Sequence, residues 1–416
     1  MTDGYDTQAI GYVAPALTGL WHLPRGSFGP VFSAGLLGLM FGAMVFTPVA
    51  DRHGARRILL LYTAAYALLS LATALADSRG VLLALRFTTG LALGGAMPNA
   101  IALVSEYSPT RLRTLLVAAA VCGFSLGGAV GGAFAAATMH RFGWQSVFVT
   151  GGVFPLIMLP FLARWLPDSL PHLLADPAPH TRLAAIAREI APGWSPGPAP
   201  ALASRHAFPL RLLFTGGYAL PTLLLWAAFF CNLLLLYFLA NWLPSVVHAA
   251  GLSIAMANSV TAIFQGGGTV GALVLAFICD RLGRPQRVLA LAFLAAAACT
   301  ALIGAAGTSP ALLMLTVAGA GFSVIGGQIA ANAFAGNYYP SAMRATGVGW
   351  ALGMGRIGSV LGPLLGGRLI GLDLPTPALF QWFALPALLA ALCILLIRRS
   401  GTPALHPQPL QPGPAQ

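Results

Sequence analysis

The charged loop Asp51–Arg57, of sequence DRHGARR, lies between two apolar runs. A similar loop, Asp280–Arg287 (DRLGRPQR), also lies between two apolar runs in the second half of the chain. A second pair of similar segments, Tyr107–Arg113 (YSPTRLR) and Tyr338–Arg344 (YYPSAMR), has nearly the same offset along the chain as the first pair. Two distant motifs therefore recur with matching spacing, which indicates an internal repeat that covers both halves of the chain.

Apolar runs of membrane-spanning length surround these loops. Hydrophobic residues make up 57% of the 416 residues and charged residues 8%, whereas soluble globular proteins carry roughly 25% charged residues. A helix needs about 20 apolar residues to cross a bilayer. The sequence predicts eleven such helices and a shorter apolar segment, at 29–50, 57–76, 80–104, 114–138, 145–166, 222–245, 255–278, 288–307, 310–335, 345–370, 378–397 and, the short one, Thr7–Trp21. A soluble enzyme is excluded.

Two repeated halves of membrane helices predict an all-α integral membrane protein built from two pseudo-symmetric six-helix bundles. Such repeats are typical of transporters whose binding site lies between the repeats. We expect an N-terminal bundle at 1–166, a cytoplasmic linker at 167–218, a C-terminal bundle at 219–399 and a disordered cytoplasmic tail at 400–416.

The beginning of the chain departs from the repeat. At the offset that separates Asp51 from Asp280, Asp3 corresponds to Asn232. An apolar run, Thr222–Cys231, precedes Asn232 but has no counterpart before Asp3. We therefore expect the first helix to lack about its first ten residues, so that 416 residues is a lower bound on the working protein. The alternative is a helix that begins within the bilayer and leaves a charged amino terminus in hydrocarbon.

The arginines are divided unequally between alternate loops, and the chain has no lysine. One side carries only Arg25, Arg79, Arg141 and Arg368, and the other carries sixteen arginines, at 52, 56, 57, 111, 113, 164, 182, 188, 205, 211, 281, 284, 287, 344, 398 and 399. The positive-inside rule places the second set in the cytoplasm. We expect a multi-pass protein of the bacterial inner membrane with a cytoplasmic C-terminus. The net charge of +12 does not indicate nucleic-acid binding, because these arginines form no continuous basic face.

Several motifs resemble those of one transporter family. The loop Asp51–Arg57 resembles the signature loop of the major facilitator superfamily, and Asp3–Thr7 (DGYDT) is similar to the first-helix motif of its aromatic acid:proton symporter branch. Segments 86–107 and 343–358 resemble the same branch. The loop opens with Thr47 where the superfamily usually has glycine. The resemblance implies the major facilitator fold and import of 4-hydroxybenzoate, protocatechuate, benzoate or gallate together with protons.

Arg356 is the first candidate for binding the substrate carboxylate. It lies twelve residues after Arg344, about 18 Å along a helix, which places it near the membrane midplane. An arginine in a span needs a partner or a wet cavity, and its planar guanidinium matches a carboxylate with two hydrogen bonds. The alternative is a structural ion pair, but the acids of the second half, Asp280 and Asp373, lie at loop ends.

Asp3 and Asp6 are the candidates for proton coupling, because they are the acids expected within a span and no histidine falls in one. Arg86, a second substrate-binding candidate, lies in the outer third of span four, where an ion pair with Asp6 is geometrically natural. Asp3 is then freer to titrate. The alternative is that both acids cap the start of a helix.

Three uncharged polar residues complete the predicted substrate site: Asn99, Gln328 and Asn332. They can bind a ring hydroxyl or simply connect helices by hydrogen bonds. We expect a small aromatic carboxylate and a proton as partners, a lipid bilayer as environment and a monomer as the working unit. The sequence has no metal-ligand cluster, nucleophile motif or phosphate loop, so we expect no cofactor, metal or catalytic residue, and a membrane enzyme is disfavoured.

The charged loops are candidates for gates that open and close the transport path. The acids can pair with arginines and with helix N-termini, and the alternative is that the arginines only set the topology. The predicted gating residues are Asp51, Arg52, Gly54, Arg56, Glu106, Arg113, Asp280, Arg281, Gly283, Arg284 and Arg344.

A competing function is export of drugs or other organic ions by a major facilitator antiporter. Antiporters of the superfamily carry a GxxxGPxxGG pattern in helix five, but the segment Gly123–Gly132 lacks the proline. The full pattern lies instead in span eleven, at Gly358–Gly367. Its position and the arginines within spans disfavour a cation exporter.

Overall fold

The computed structural model describes residues 1–109, 112–169, 210–215, 217–306, 309–339 and 341–397. Within these ranges it is helical: α1 (Thr2–Leu20), α2 (Gly29–His53), α3 (Ala55–Thr73), α4 (Arg79–Gly94), α5 (Ala96–Tyr107), α6 (Arg113–Phe142), α7 (Gln145–Trp165), a 3-10 turn (Leu210–Phe214), α8 (Ala219–Ala249), α9 (Ile254–Leu282), α10 (Pro285–Ala305), α11 (Pro310–Tyr338), α12 (Ser341–Gly371) and α13 (Thr376–Leu396). Most of the predicted linker and the whole predicted tail lie outside the described residues.

Ten segments of the described chain are long and apolar enough to cross a membrane, and α4 with α5 counts as one of them. A shorter apolar stretch of α2 (Gly29–Val45) and the 19-residue α1 complete twelve crossing elements. The predicted fold class of two six-helix bundles is confirmed, with α1–α7 in the N-terminal bundle and α8–α13 in the C-terminal bundle. The first helix begins at Thr2 and includes both the apolar segment that starts at Thr7 and the two acids expected within a span, Asp3 and Asp6.

The sequence predicted one continuous helix for span four, but the structure divides this span into two helices. α4 ends at Gly94 and α5 begins at Ala96. Pro98 has no backbone N–H to donate. The side-chain amide of Asn99 donates to the Gly95 carbonyl at 2.6 Å. The apolar run continues through the break, which is why hydropathy alone did not locate it.

The internal repeat is visible in the backbone. α2 ends at Gly54, with φ +88°, and α9 ends at Gly283, with φ +60°; glycine adopts positive φ without the steric cost other residues meet. Pro15 lies inside α1 and Pro244 inside α8, at the offset of the loop motifs. In both bundles, therefore, a glycine of positive φ follows the helix before the charged loop and a proline lies inside the first helix.

The two bundles meet on one side of the molecule. We call the helix ends near Arg25, Arg79, Arg141 and Arg368 the arginine-poor face, and the opposite ends the arginine-rich face. Near the arginine-poor face, the Ser33 hydroxyl of α2 donates to the Val360 carbonyl of α12 at 2.7 Å.

The contacts between α6 and α9 extend from that face to the middle of the helices. The Asn258 amide approaches the Met139 sulfur at 3.4 Å near the arginine-poor face. Farther in, the hydroxyls of Ser125 and Thr269 lie 3.0 Å apart. The described contacts between the bundles thus lie between the arginine-poor face and the midplane.

Candidate functional site

A buried ion pair lies at the centre of the N-terminal bundle. Arg86 Nη1 of α4 lies 3.1 Å from Asp6 Oδ2 of α1, and the two side chains are 4% and 1% exposed. The pairing predicted from the sequence is confirmed. Each charge offsets part of the cost of burying the other, and either charge alone in an apolar bundle would be strongly destabilising.

Hydroxyl groups surround the Asp6–Arg86 pair. Arg86 Nη2 donates to Thr73 Oγ1 at 3.1 Å and to Thr89 Oγ1 at 3.3 Å, and the Ser70 hydroxyl donates to Asp6 Oδ1 at 2.9 Å. The guanidinium carbon also lies 4.9 Å from the centre of the Phe148 ring of α7. The pair therefore ties α1, α3, α4 and α7 together, and its contacts are those of a structural element within one bundle.

Asp3 and Arg356 are charged residues of different bundles, and each is partly buried. Asp3 lies in the first turn of α1 and Arg356 in the middle of α12. The Asp3 Oδ1 atom accepts a hydrogen bond from the Thr7 hydroxyl at 3.3 Å. Unlike Asp6, Asp3 remains partly accessible and has no guanidinium bound directly to it among the described ion pairs.

A chain of amides lies in the C-terminal bundle. The Asn232 side chain of α8 donates to the Val324 carbonyl at 3.1 Å and to Gln328 Oε1 at 2.9 Å. Gln328 Nε2 in turn donates to Asn332 Oδ1 at 3.1 Å. Asn332 is partly exposed, whereas Gln328 is 7% exposed. The structure thus brings two of the predicted amides together, with the accessible end of the chain at Asn332.

Asn99 has a different local role from the other predicted amides. It is 4% exposed, and its Nδ2 atom serves the Gly95 carbonyl at the break between α4 and α5. Its Oδ1 oxygen takes no part in that contact. At the offset that relates Asp51 to Asp280, Asn99 corresponds to Gln328, so the two bundles place an amide at the same point of the repeat.

The predicted gating residues lie at the arginine-rich face. Arg56 Nη1 lies 3.4 Å from Asp168 Oδ2, just after α7, with side chains 28% and 20% exposed. Glu106 accepts from the Ser169 hydroxyl at 2.9 Å. Arg344 of α12 is exposed. These contacts attach the segment that follows α7 to the loops of the N-terminal bundle.

The second copy of the loop motif is exposed. Arg281 lies over the Phe277 ring at 6.0 Å, and Arg284 precedes α10 with an exposed side chain. The side chains of four further predicted gating residues lie outside the described part of the molecule: Asp51, Arg52, Arg113 and Asp280.

Two residues with clear roles were missed in the sequence. Asn232 begins the amide chain, and its correspondence with Asp3 in the repeat could have indicated it. Asp168 pairs with Arg56, but nothing in its sequence position shows that the chain after α7 turns back toward the loop between α2 and α3.

The chain is similar to characterised transporters over almost its whole length. The gallate transporter of Pseudomonas putida is 42% identical, over 97% of this chain and 91% of its own. The 4-hydroxybenzoate transporter of Pseudomonas aeruginosa is 39% identical, over 95% and 89%. The 3-(3-hydroxy-phenyl)propionate transporter of Escherichia coli is 37% identical, over 96% and 92%.

The fold and the family model agree with these similarities. The crystal structure of a D-xylose-proton symporter superposes with a TM-score of 0.73, over 96% of each chain, at 15% identity, which shows a shared fold. The model of the Major Facilitator Superfamily matches residues 1–327 and 225–415. The resemblance in the loop and helix motifs is confirmed: the chain belongs to the major facilitator superfamily and, within it, to the family of the gallate and 4-hydroxybenzoate transporters.

Proposed function

We propose that the protein imports an aromatic carboxylate of the 4-hydroxybenzoate, protocatechuate, benzoate or gallate type together with protons, by alternating access between its two bundles. The observation that carries this proposal is a partly buried charge in each bundle, Arg356 in the middle of α12 and Asp3 in the first turn of α1. The sequence repeat is typical of transporters whose site lies between the bundles. The names of the relatives support the substrate class.

Arg356 receives the substrate carboxylate in this proposal. It is partly accessible, whereas Arg86 already holds Asp6. A guanidinium offers two parallel N–H donors to a carboxylate. Without substrate, Asp3 supplies the nearby negative charge that an arginine within a membrane requires. A bound substrate replaces it in that role.

Asp3 carries the proton. When the substrate carboxylate takes Arg356, two carboxylates share one guanidinium, and like charges at close range favour protonation of one of them. Asp3 is partly accessible and can take that proton, which leaves the loaded site without a net excess of negative charge. The earlier predictions for Asp6 in proton coupling and Arg86 in substrate binding stay predictions, and the burial of their pair favours a structural role.

The amide side chains bind the ring hydroxyl of the substrate by hydrogen bonds. Gln328 and Asn332 are already aligned by hydrogen bonds, and Asn332 lies at the accessible end of the chain. An aligned amide can exchange a hydrogen bond with a ring hydroxyl without a large loss of side-chain freedom. Asn99, at the corresponding point of the N-terminal bundle, is proposed to contribute its free carbonyl oxygen.

The arginine-rich face is proposed to be cytoplasmic, in the inner membrane of a bacterium, with the C-terminus on the same side. The contacts between bundles then close the outer side, and the described conformation is inward-facing. We propose that the Arg56–Asp168 and Glu106–Ser169 contacts, together with the other predicted gating residues, stabilise one of the two states. Both bundles belong to one chain, so a monomer suffices for the path.

Uptake of labelled gallate and 4-hydroxybenzoate by cells that express the protein tests this function. Arg356→Ala should lower uptake by at least about tenfold, because it removes a charge-assisted hydrogen-bonding pair worth ~1.5–3 kcal/mol. Arg368→Ala is the matched control, since Arg368 is an exposed residue of the same helix, and uptake should stay near the wild-type rate. A protonophore should abolish accumulation. Uptake that survives both the protonophore and Arg356→Ala would contradict the proposal.

A further inference from the structure

A cavity of about 390 Å³ opens at the arginine-poor face between the two bundles. Its lining includes Arg25 and Phe28 from the N-terminal bundle and Trp242, His248 and Asp373 from the C-terminal bundle. Small-molecule sites occupy roughly 300–1,000 Å³, so the volume suffices for a single-ring compound. Ile370, another lining residue, is fourteen residues beyond Arg356 on α12, about 21 Å along the helix. The cavity is therefore separate from the proposed central site.

The rim of this cavity carries a positively charged side chain, Arg25, whose ion pair is long and exposed. Arg25 Nη1 lies 3.8 Å from Asp373 Oδ1, and the side chains are 72% and 79% exposed. Exposed ion pairs of this kind contribute little to stability. A guanidinium has five N–H donors, so most of those on Arg25 remain for another anion.

His248 adds a second basic group with a defined orientation. Its Nδ1 atom lies 2.8 Å from the Leu252 carbonyl oxygen, and because a carbonyl can only accept, Nδ1 is the donor. The ring is thereby held in one orientation beside the cavity. The charged groups that line the cavity are therefore Arg25, His248 when protonated, and Asp373.

The inner wall is aromatic and rigid. Phe28 is 1% exposed and Trp242 is 3% exposed. The indole N–H of Trp242 donates to the Pro363 carbonyl at 2.9 Å, and its ring packs edge-on against Phe32 with centroids 5.0 Å apart. Aromatic side chains and a guanidinium in the lining of one cavity match a molecule with an aromatic ring and a carboxylate.

We propose that this cavity is an outer vestibule that binds the aromatic carboxylate before it reaches the central site. The choice of ligand rests on the proposed function. The carboxylate takes Arg25 from Asp373, and the ring lies against Phe28 and Trp242. Arg25 belongs to the loop between α1 and α2, and Asp373 to the loop between α12 and α13. Binding therefore also removes an ion pair that joins the two bundles on their closed side.

Cysteine protection in the purified protein tests the vestibule. Ala249 is exposed and lines the cavity, so Ala249→Cys should react with a maleimide, and the parent protein reports reaction at its own cysteines. The Arg356→Ala background removes the central anchor. In that background 4-hydroxybenzoate should slow labelling several-fold, whereas 4-hydroxybenzyl alcohol, which has no carboxylate, should not. Ser245→Cys, on the same wall, is a second reporter.

The charge variants give opposite expected results. Arg25→Gln should abolish protection, and Asp373→Asn should shift it to lower concentrations of 4-hydroxybenzoate, because it removes the competing carboxylate. Arg141→Gln removes a charge from an exposed residue of the same face and should change nothing. Protection that persists in Arg25→Gln, or is absent from both reporters in the Arg356→Ala background, would overturn the vestibule. A different result would contradict the proposed function: full uptake of substrate by the Arg356→Ala variant.

Discussion

The two bundles share a backbone but differ in the chemistry of their interiors. Gly54 and Gly283 both follow a helix end with positive φ, and Pro15 and Pro244 both lie inside a helix, at the offset of the loop motifs. The N-terminal bundle contains carboxylates, whereas the C-terminal bundle has an amide, Asn232, at the position of Asp3. The repeat thus preserves the charged loops and the residues that shape the backbone, and it varies the charged residues inside the bundles.

This difference suggests separate roles for the two bundles in the proposed transport. In the N-terminal bundle, one carboxylate is held by Arg86 and the other, Asp3, remains partly accessible. In the C-terminal bundle, the amide chain and Arg356 are the groups that we propose bind the ligand. We infer that the proton is handled by one bundle and the aromatic acid mainly by the other.

The largest effect is expected from the buried ion pair. Asp6→Asn or Arg86→Met leaves one charge without a partner inside the bundle, which costs about 3–5 kcal/mol. The thermal midpoint of each purified variant should fall steeply, and the double variant Asp6→Asn/Arg86→Met should recover part of the loss.

Asp373→Asn is the matched control for that experiment, because it breaks an ion pair whose side chains are 72% and 79% exposed. Its thermal midpoint should stay close to that of the wild type. Equal shifts in the buried and the exposed pair would show that the Asp6–Arg86 pair does not hold the N-terminal bundle together.

A smaller effect is expected when the C-terminal bundle is made to resemble its partner. Asn232→Asp replaces a donor that serves the Val324 carbonyl and Gln328 by an acceptor. The loss of a buried hydrogen bond with an unsatisfied partner costs ~1–3 kcal/mol. Uptake of 4-hydroxybenzoate should therefore fall by about tenfold or more, and Asn232→Ser, which keeps a donor, should retain more of it. Unchanged uptake in Asn232→Asp would contradict the claim that the C-terminal bundle requires an amide where the N-terminal bundle has a carboxylate.

The smallest effect is expected from the amides proposed to bind the ring hydroxyl of the substrate. Gln328→Leu removes an amide from the chain, and one hydrogen bond contributes about 1 kcal/mol. The KM for 4-hydroxybenzoate should rise about fivefold, with a smaller rise for benzoate, which lacks the ring hydroxyl. Thr316→Val is the control on the same helix, since the Thr316 hydroxyl bonds its own helix at 2.8 Å. Equal changes for both substrates would indicate a purely structural role.

The repeat and the spans could be predicted from the sequence because the bilayer imposes their length and because glycine and proline constrain the backbone locally. The Asp6–Arg86 pair could also be predicted, since both residues lie at a similar depth and neither charge is stable alone. These features depend on depth in the membrane, which the sequence gives directly.

The remaining features depend on how helices are rotated against each other. Predicting the hydrogen bond from Asn232 to Gln328 requires knowing which sides of α8 and α11 face each other. Predicting the Arg56–Asp168 pair requires knowing the path of the chain after α7. The break between α4 and α5 falls in an apolar run, so composition did not reveal it. The cavity at the arginine-poor face is formed by segments of both bundles. No single stretch of the sequence shows that these segments lie close together.

Proton uptake on substrate binding tests the central claim most directly. Addition of 4-hydroxybenzoate to purified protein in weakly buffered solution with a pH indicator should draw protons from solution. Asp3→Asn should still bind 4-hydroxybenzoate, because Arg356 is unchanged, but should take up no proton. Proton uptake that persists in Asp3→Asn at the wild-type level would contradict the assignment of the proton to Asp3.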